Sequence, residues 1–250
     1  TVLPAISGTA RDTQTLTATL GTWTGTPTVT SVRQWRRCDA AGLNCADIAG
    51  ETGASYTLTP ADVGSTVRVR VTATNAGGSA SASSAPTATV APDPPVNTSL
   101  PTTSGTMRDG QTLSSAIGAW TGTPTITYAR QWRRCDAAGL NCADIAGATS
   151  VTYTLTPDDV GGTIRVRVTA TNAGGSANAL SDPTSTVEPD APLNTVIPVI
   201  TGTVRDGETL SASTGTWTGT PVIGYAFQWK RCDAAGDDCA DIPGATDPAY

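Results

Sequence analysis

Histidine is absent from this 250-residue chain, and phenylalanine, methionine and lysine occur once each. Without histidine the usual base of a nucleophilic triad is missing, and so is the commonest nitrogen ligand for zinc. No apolar run approaches the roughly 20 residues that cross a bilayer as a helix, and no charged-then-apolar leader is present. No membrane contact is therefore expected of this segment, and any export signal or anchor is expected outside it. Cationic charge is short as well: 15 Lys and Arg stand against 21 Asp and Glu, a net charge of −6. A nucleic-acid surface needs a cationic excess, so no nucleic-acid partner is expected. Threonine and valine are abundant, and the chain also has 26 Gly and 17 Pro. Branching at Cβ stiffens a side chain for a pleated strand, while Gly and Pro interrupt helices and supply turns, which points to an all-β fold.

Self-similarity organises the rest. Trp23, Trp120 and Trp217 recur at a spacing of 97, as do Trp35, Trp132 and Trp229. The segment at 34–50 repeats unchanged at 131–147, and that at 69–80 repeats at 166–177. The proline-rich stretches Ala91–Pro95 and Glu188–Pro192 read as short, semi-rigid linkers. Three domains follow, 1–94, 95–191 and 192–250, the last lacking its final strands. Each repeat reads as about seven short strands. A first strand is expected at Val2–Ile6, then a turn at Arg11-Asp12, a strand at Gln14–Leu20, and a long one at Val29–Cys38 carrying Trp35. Short strands are expected at Ala46–Ile48 and Ser55–Leu58. Along Val67–Thr74, Val67, Val69, Val71 and Ala73 alternate with Arg68, Arg70, Thr72 and Thr74, the period-2 pattern of a half-buried strand. Asn75–Gly78 then turns the chain into a last strand, Ser79–Val90.

Seven strands in roughly 95 residues with a tryptophan on the third fit tandem Ig-like β-sandwiches. The runs W-T-G-T-P, Q-W-R-R-C-D-A-A-G-L-N-C, Y-T-L-T-P-A-D-V-G and V-R-V-R-V-T-A-T-N-A-G-G-S resemble the Ig-like repeats of long secreted and surface proteins of actinobacteria and similar high-GC bacteria. The resemblance covers the whole chain. It implies a β-sandwich and an extracellular or cell-surface setting, and it names no common activity.

Six cysteines form three C-x6-C pairs, Cys38/Cys45, Cys135/Cys142 and Cys232/Cys239. Each pair brackets a turn-prone Asp-Ala-Ala-Gly, so a local disulfide across a hairpin is expected, and with it an oxidising compartment. Two thiolates per repeat leave zinc two ligands short. No cysteine is placed to join the two sheets, as one does in antibody domains, so the sheets must be held by packing.

No enzyme is expected. The carboxylate pairs Asp158-Asp159 and Asp237-Asp238 do not recur, and Asp159 matches Asp62 in a turn that an Asp side chain stabilises. No cofactor is expected either: calcium takes six to eight oxygens, and the linker acids Asp93, Glu188 and Asp190 offer one or two per junction. Two features suggest binding. Arg33, Arg36, Arg68 and Arg70, repeated as Arg130, Arg133, Arg165 and Arg167, would form a cationic stripe for an anionic wall polymer or a neighbouring acidic linker. Arg37 and Arg134 are further members, and the alternative is a solvated face whose arginines pair with Asp39 or Asp47. Trp23, Trp120 and Trp217 would stack on sugars if exposed, or cap the sandwich end if buried.

The third repeat stops at Tyr250, the counterpart of Tyr56 and Tyr153. The 250 residues are thus either a window on a longer array or a chain completed by another subunit's strand. The resulting expectation is a structural repeat protein forming an extracellular fibre, stalk or adhesin, with self-association or further repeats as partners. The alternatives are a glycan- or wall-binding array and decoration domains of a phage particle.

Overall fold

The computed structural model describes residues 2–26 and 28–250; Thr1 and Pro27, the latter ending the first W-T-G-T-P loop, lie outside them. Regular structure among the described residues is strand, apart from two single 3-10 turns at Pro60–Asp62 and Pro157–Asp159. The chain divides into two compact units. The first runs up to residue 102 and adds 116–131 and 167–181, and the second comprises 103–115, 132–166 and 182–250.

The first unit contains a complete Ig-like sandwich. Its strands are β1 (Ile6–Ser7), β2 (Thr15–Ala18), β3 (Thr30–Cys38), β4 (Ala46–Asp47), β5 (Ser55–Thr57), β6 (Thr66–Asn75) and β7 (Gly78–Ser83). They form two sheets, β1-β2-β5 and β4-β3-β6-β7, with every neighbour antiparallel. Alternation decides which side chains meet between them. Val67, Val69 and Val71 of β6 are fully buried, and Trp35 of β3 lies opposite Val69 on the same face. Leu16 of β2 and Tyr56 of β5 close the core from the facing sheet, joined by Leu58 and Val90. Full burial of one Val or Leu side chain is worth about 1.5–3 kcal/mol, so this face sets the register.

Gln14–Leu20 is trimmed to Thr15–Ala18, and the first and last expected strands lose half their length or more for one reason. The Val2–Ile6 strand is reduced to Ile6–Ser7, with the Val2 and Ala5 N–H groups donating to the side-chain oxygens of Thr22 and Thr19. The last strand stops at Ser83 instead of Val90, and beyond it the Ser84, Thr87 and Val90 N–H groups make separate bonds to the Val69, Val67 and Ser65 carbonyls at 2.9, 3.0 and 2.8 Å. Pro4 and Pro86 lie in the two gaps, and a proline cannot donate to a ladder.

The second repeat supplies β8 (Val96–Ser99), β9 (Thr102–Ser104), β10 (Thr112–Ala116), β11 (Ala119–Thr121), β12 (Thr127–Cys135), β13 (Ala143–Asp144), β14 (Thr152–Thr154), β15 (Thr163–Asn172) and β16 (Gly175–Leu180). Here Pro101 divides the opening strand into β8, which pairs with β11, and β9, which pairs with β10. The sheets are β14-β10-β9 and β13-β12-β15-β16. The second unit's core comprises Leu113, Trp132, Leu155, Ile164, Val166 and Val187, with the Tyr153 ring 5.8 Å from that of Trp132.

In the third repeat six short strands occur in pairs. β17 (Leu193–Val196) pairs with β20 (Thr216–Thr218), β18 (Ile200–Thr201) with β19 (Ser211–Ala212), and β21 (Lys230–Arg231) with β22 (Ala240–Asp241). Trp229 is 7% exposed, but Tyr250 is 47% exposed where its counterpart Tyr56 is 5%. Among the described residues the third repeat has no strand matching β6.

Candidate functional site

Strand register sorts the arginines. Arg36 lies opposite Arg68 and Gln34 opposite Arg70, on the face away from the core. Arg33 lies opposite Val71 and Arg37 opposite Val67, on the side of Trp35. Arg36, Arg68 and Arg70 thus share the outer face and Arg33 does not. Asp47 threads two of the three: Arg36 Nε donates to its Oδ1 at 2.7 Å and Arg70 Nη2 to its Oδ2 at 3.0 Å. Arg36 also donates to the Cys45 carbonyl at 2.5 Å, and Arg68 to that of Ser84 at 3.3 Å. In the second repeat Arg133 Nε donates to Asp144 Oδ1 at 2.8 Å and Arg165 Nη1 to the Gly139 carbonyl at 3.4 Å. Arg130 and Arg167 occupy the strand positions matching Arg33 and Arg70. In the third, Lys230 pairs with Asp241 at 2.8 Å. Acid–base pairs brace this face, each exposed pair worth about 0–1 kcal/mol.

Arg37 does something else. Its Nε donates to Asp62 Oδ1 at 2.7 Å, and Asp62 is fully buried. Asp62 Oδ2 accepts from the Tyr56 hydroxyl at 2.7 Å, the Thr59 N–H at 2.9 Å and the Thr59 hydroxyl at 3.0 Å. Burial pushes this carboxyl up, but the Thr59, Tyr56 and Arg37 donors together outweigh it and hold Asp62 below the usual carboxylate range. Tyr56, buried beside that carboxylate, is raised. Arg134, Asp159, Tyr153 and Thr156 repeat the corner in the second repeat. Asp159 is therefore a structural acceptor and Asp158 its exposed neighbour.

The loop tryptophans are half-buried. Each indole N–H donates to the carbonyl three residues back: Trp23 to Leu20 and Trp120 to Ile117 at 2.9 Å, Trp217 to Thr214 at 2.8 Å. Tyr128 and Tyr225 lie 6.3 Å from the rings of Trp120 and Trp217.

The cysteines pair as Cys38–Cys45, Cys135–Cys142 and Cys232–Cys239. Asp39 shapes the first of these loops by accepting from the Leu43 N–H at 2.8 Å and the Ala41 N–H at 3.0 Å. The Leu43 bond is the largest influence holding Asp39 below the ordinary carboxylate range. Among the described residues no cluster of three or more His, Cys, Asp or Glu could hold a metal.

A joint that the sequence reading missed lies where the linker meets the Arg-Asp turn. Thr123 donates its hydroxyl hydrogen to Asp12 Oδ2 at 2.6 Å, and its Oγ1 accepts from the Asp93 N–H at 2.7 Å. Thr13 donates to Asp93 Oδ2 at 2.8 Å, and Arg11 lies 3.6 Å from Asp93 Oδ1. Asp12 is 1% exposed and Thr123 4%, so the bond between them is dry. The second unit contains the same joint: Thr220 donates to Asp109 Oδ2 at 2.6 Å and accepts from the Asp190 N–H at 2.6 Å. Arg108 stands 3.9 Å from Glu188 and 4.0 Å from Asp190. The linker acids named from the sequence are thus neighbours of arginines. The available signal was that the Arg-Asp turn and the Thr of W-T-G-T-P recur together in every repeat.

No protein-family model matches the sequence, and no curated protein matches it. Solved structures similar to the chain include the FN1–FN3 domains of chicken CNTN1, at 14% identity over 99% of this chain and 87% of that one, with a TM-score of 0.27. The titin domains I67–I69 match at 15% identity over 96% of this chain and 76% of theirs, with a TM-score of 0.27. Sidekick-1 immunoglobulin domains 1–5 match at 19% identity over 96% of this chain and half of theirs, with a TM-score of 0.33.

Proposed function

We propose that this chain is a non-enzymatic structural protein, a run of sandwich modules (1–94, 95–191 and 192–250) that acts as an extracellular spacer in a fibre, stalk or adhesin. The observation that carries this reading is the joint. A solvent-exposed linker needs no buried carboxylate, yet Asp12 and Asp109 each accept a 2.6 Å bond from a threonine 111 residues ahead. A buried acceptor that loses its donor costs about 1–3 kcal/mol, so the joint resists bending. Three disulfides support an oxidising setting, in line with the resemblance to bacterial surface repeats.

Pairing of Arg36 and Arg70 with Asp47 supports the structural reading over a polyanion-binding stripe, because an acid on the same sheet already holds both guanidiniums in place. The loop tryptophans are half-buried and tied by their indole N–H groups to their own loops, which supports a capping role for Trp23, Trp120 and Trp217. A glycan array with Trp120→Ala and Arg165→Ala controls tests this: a structural spacer gives no specific signal, whereas a signal lost in either variant selects a binding module.

A further inference from the structure

The surface that seats the linker on the second repeat has a counterpart on the first. On the second repeat, Asn172 Nδ2 donates to the Asp93 carbonyl at 2.7 Å and the Thr123 carbonyl at 2.8 Å. A Cβ placed on Gly174 would come within 2.8 Å of the Asp93 carbonyl carbon and the Pro94 nitrogen, and one on Gly122 within 2.8 Å of the Pro94 oxygen. The glycines are a floor on which Asp93 and Pro94 lie. The first repeat carries the matching residues Trp23, Thr26, Asn75, Gly77 and Gly78, while Gly25, the counterpart of Gly122, has Asn75 Nδ2 within 2.9 Å of where its Cβ would stand. There Asn75 Nδ2 has the Thr26 carbonyl at 3.4 Å, a Cβ on Gly77 would meet only the Asn75 Oδ1 at 3.3 Å, and one on Gly78 would meet nothing within 4 Å. Trp23, Val29, Asn75, Gly77 and Gly78 instead line an open cavity of about 320 Å³.

We infer that this cavity is an acceptor site for a Pro-Asp-x-Pro linker, carried by the end of another sandwich repeat of this kind with its Arg-Asp turn. The inference rests on the array reading above. Two different linkers show what the site selects, since Ala91–Pro95 and Glu188–Pro192 share only Pro-Asp-x-Pro. Both use the backbone: the Asp93 and Asp190 N–H groups donate to Thr123 and Thr220, and Gly122 and Gly219 admit the carbonyls of Pro94 and Ala191. Thr26 and Asn75 offer the same hydroxyl acceptor and carboxamide donor, while the flat glycine pair accommodates a proline ring without a side chain in its way. Proline fixes φ, so the segment arrives extended and loses little freedom on docking.

The test uses the isotopically labelled 250-residue protein and a capped peptide of the sequence Ala91–Val96. Saturable amide shifts are expected at Gly77, Gly78 and the Asn75 carboxamide, with Kd on the order of 1 mM for so short a segment, and none at Gly174 or the Trp120 indole. Gly77→Val, at a position whose φ tolerates a side chain, should weaken binding at least about tenfold while the Trp35 indole signal is unchanged. Fusing a copy of Ala91–Asn97 in register ahead of Thr1 makes the docking intramolecular, and should slow Gly78 amide exchange by about tenfold or more. Peptide shifts that are absent or equal at Gly174, together with unchanged Gly78 exchange in the fusion, would overturn the inference. Failure here leaves the solution dimensions of the chain unaffected, so it is separable from failure of the array reading.

Discussion

Thr123 donates its hydroxyl hydrogen to Asp12 Oδ2 at 2.6 Å, and Asp12 is 1% exposed. Replacing either partner removes a hydrogen bond to a charged group in a dry site. Asp12→Ala and Thr123→Val should each destabilise the first unit by about 1.5–3 kcal/mol, measured by urea unfolding. Limited proteolysis should then cut at Ala91–Val96 faster than in the parent chain, because the linker loses an anchor that also holds the Asp93 N–H.

The Asp62 corner gives a second test. Tyr56→Phe removes one of four donors to a fully buried carboxylate and should cost about 1.5–3 kcal/mol by urea unfolding. Arg37→Ala should cost about the same, below the full penalty for breaking a buried pair, because the Arg37 side chain is 34% exposed. Asp47→Ala, by contrast, breaks exposed pairs and should change stability by less than about 1 kcal/mol.

Much of this was legible in the letters. Valines alternating at 67, 69 and 71 and the tryptophan at 35 specify the core because a strand's side chains repeat every two residues. The cysteine pairing was legible because each pair brackets a short turn. The same period-2 rule, counted outward from Trp35, places Arg33 and Arg37 on its side; grouping arginines by the adjacency of their strands leaves that parity out. The joint was hidden for a different reason. Asp12 and Thr123 are polar residues in two separate turns, and no local periodicity links positions 111 residues apart.

Acid should weaken the fold through the same corner. Asp62 is held below the ordinary carboxylate range in the folded chain, so the unfolded chain takes up its proton first as pH falls. Its contribution is present above the unfolded value near about 4 and is lost as pH drops through the folded value. Asp39, also lowered, acts in the same direction. Urea midpoints should therefore be flat between about pH 5 and 7 and fall below about pH 4, with Asp62→Asn flattening the acid limb.

Each disulfide closes a short loop of sequence separation 7. Loop-closure entropy for that length is worth roughly 2.5 kcal/mol, so Cys38→Ala with Cys45→Ala should lower the first unit's stability by about 2 kcal/mol. Reduction by dithiothreitol should produce the same shift in the parent chain and none in that unit of the variant.

Small-angle scattering of the 250-residue chain bears most directly on the structural role proposed for these repeats. Sandwich modules of about 35 Å joined end to end predict a radius of gyration of roughly 30 Å, unchanged by concentration. A value near about 18 Å, that of one compact 250-residue globule, would contradict it.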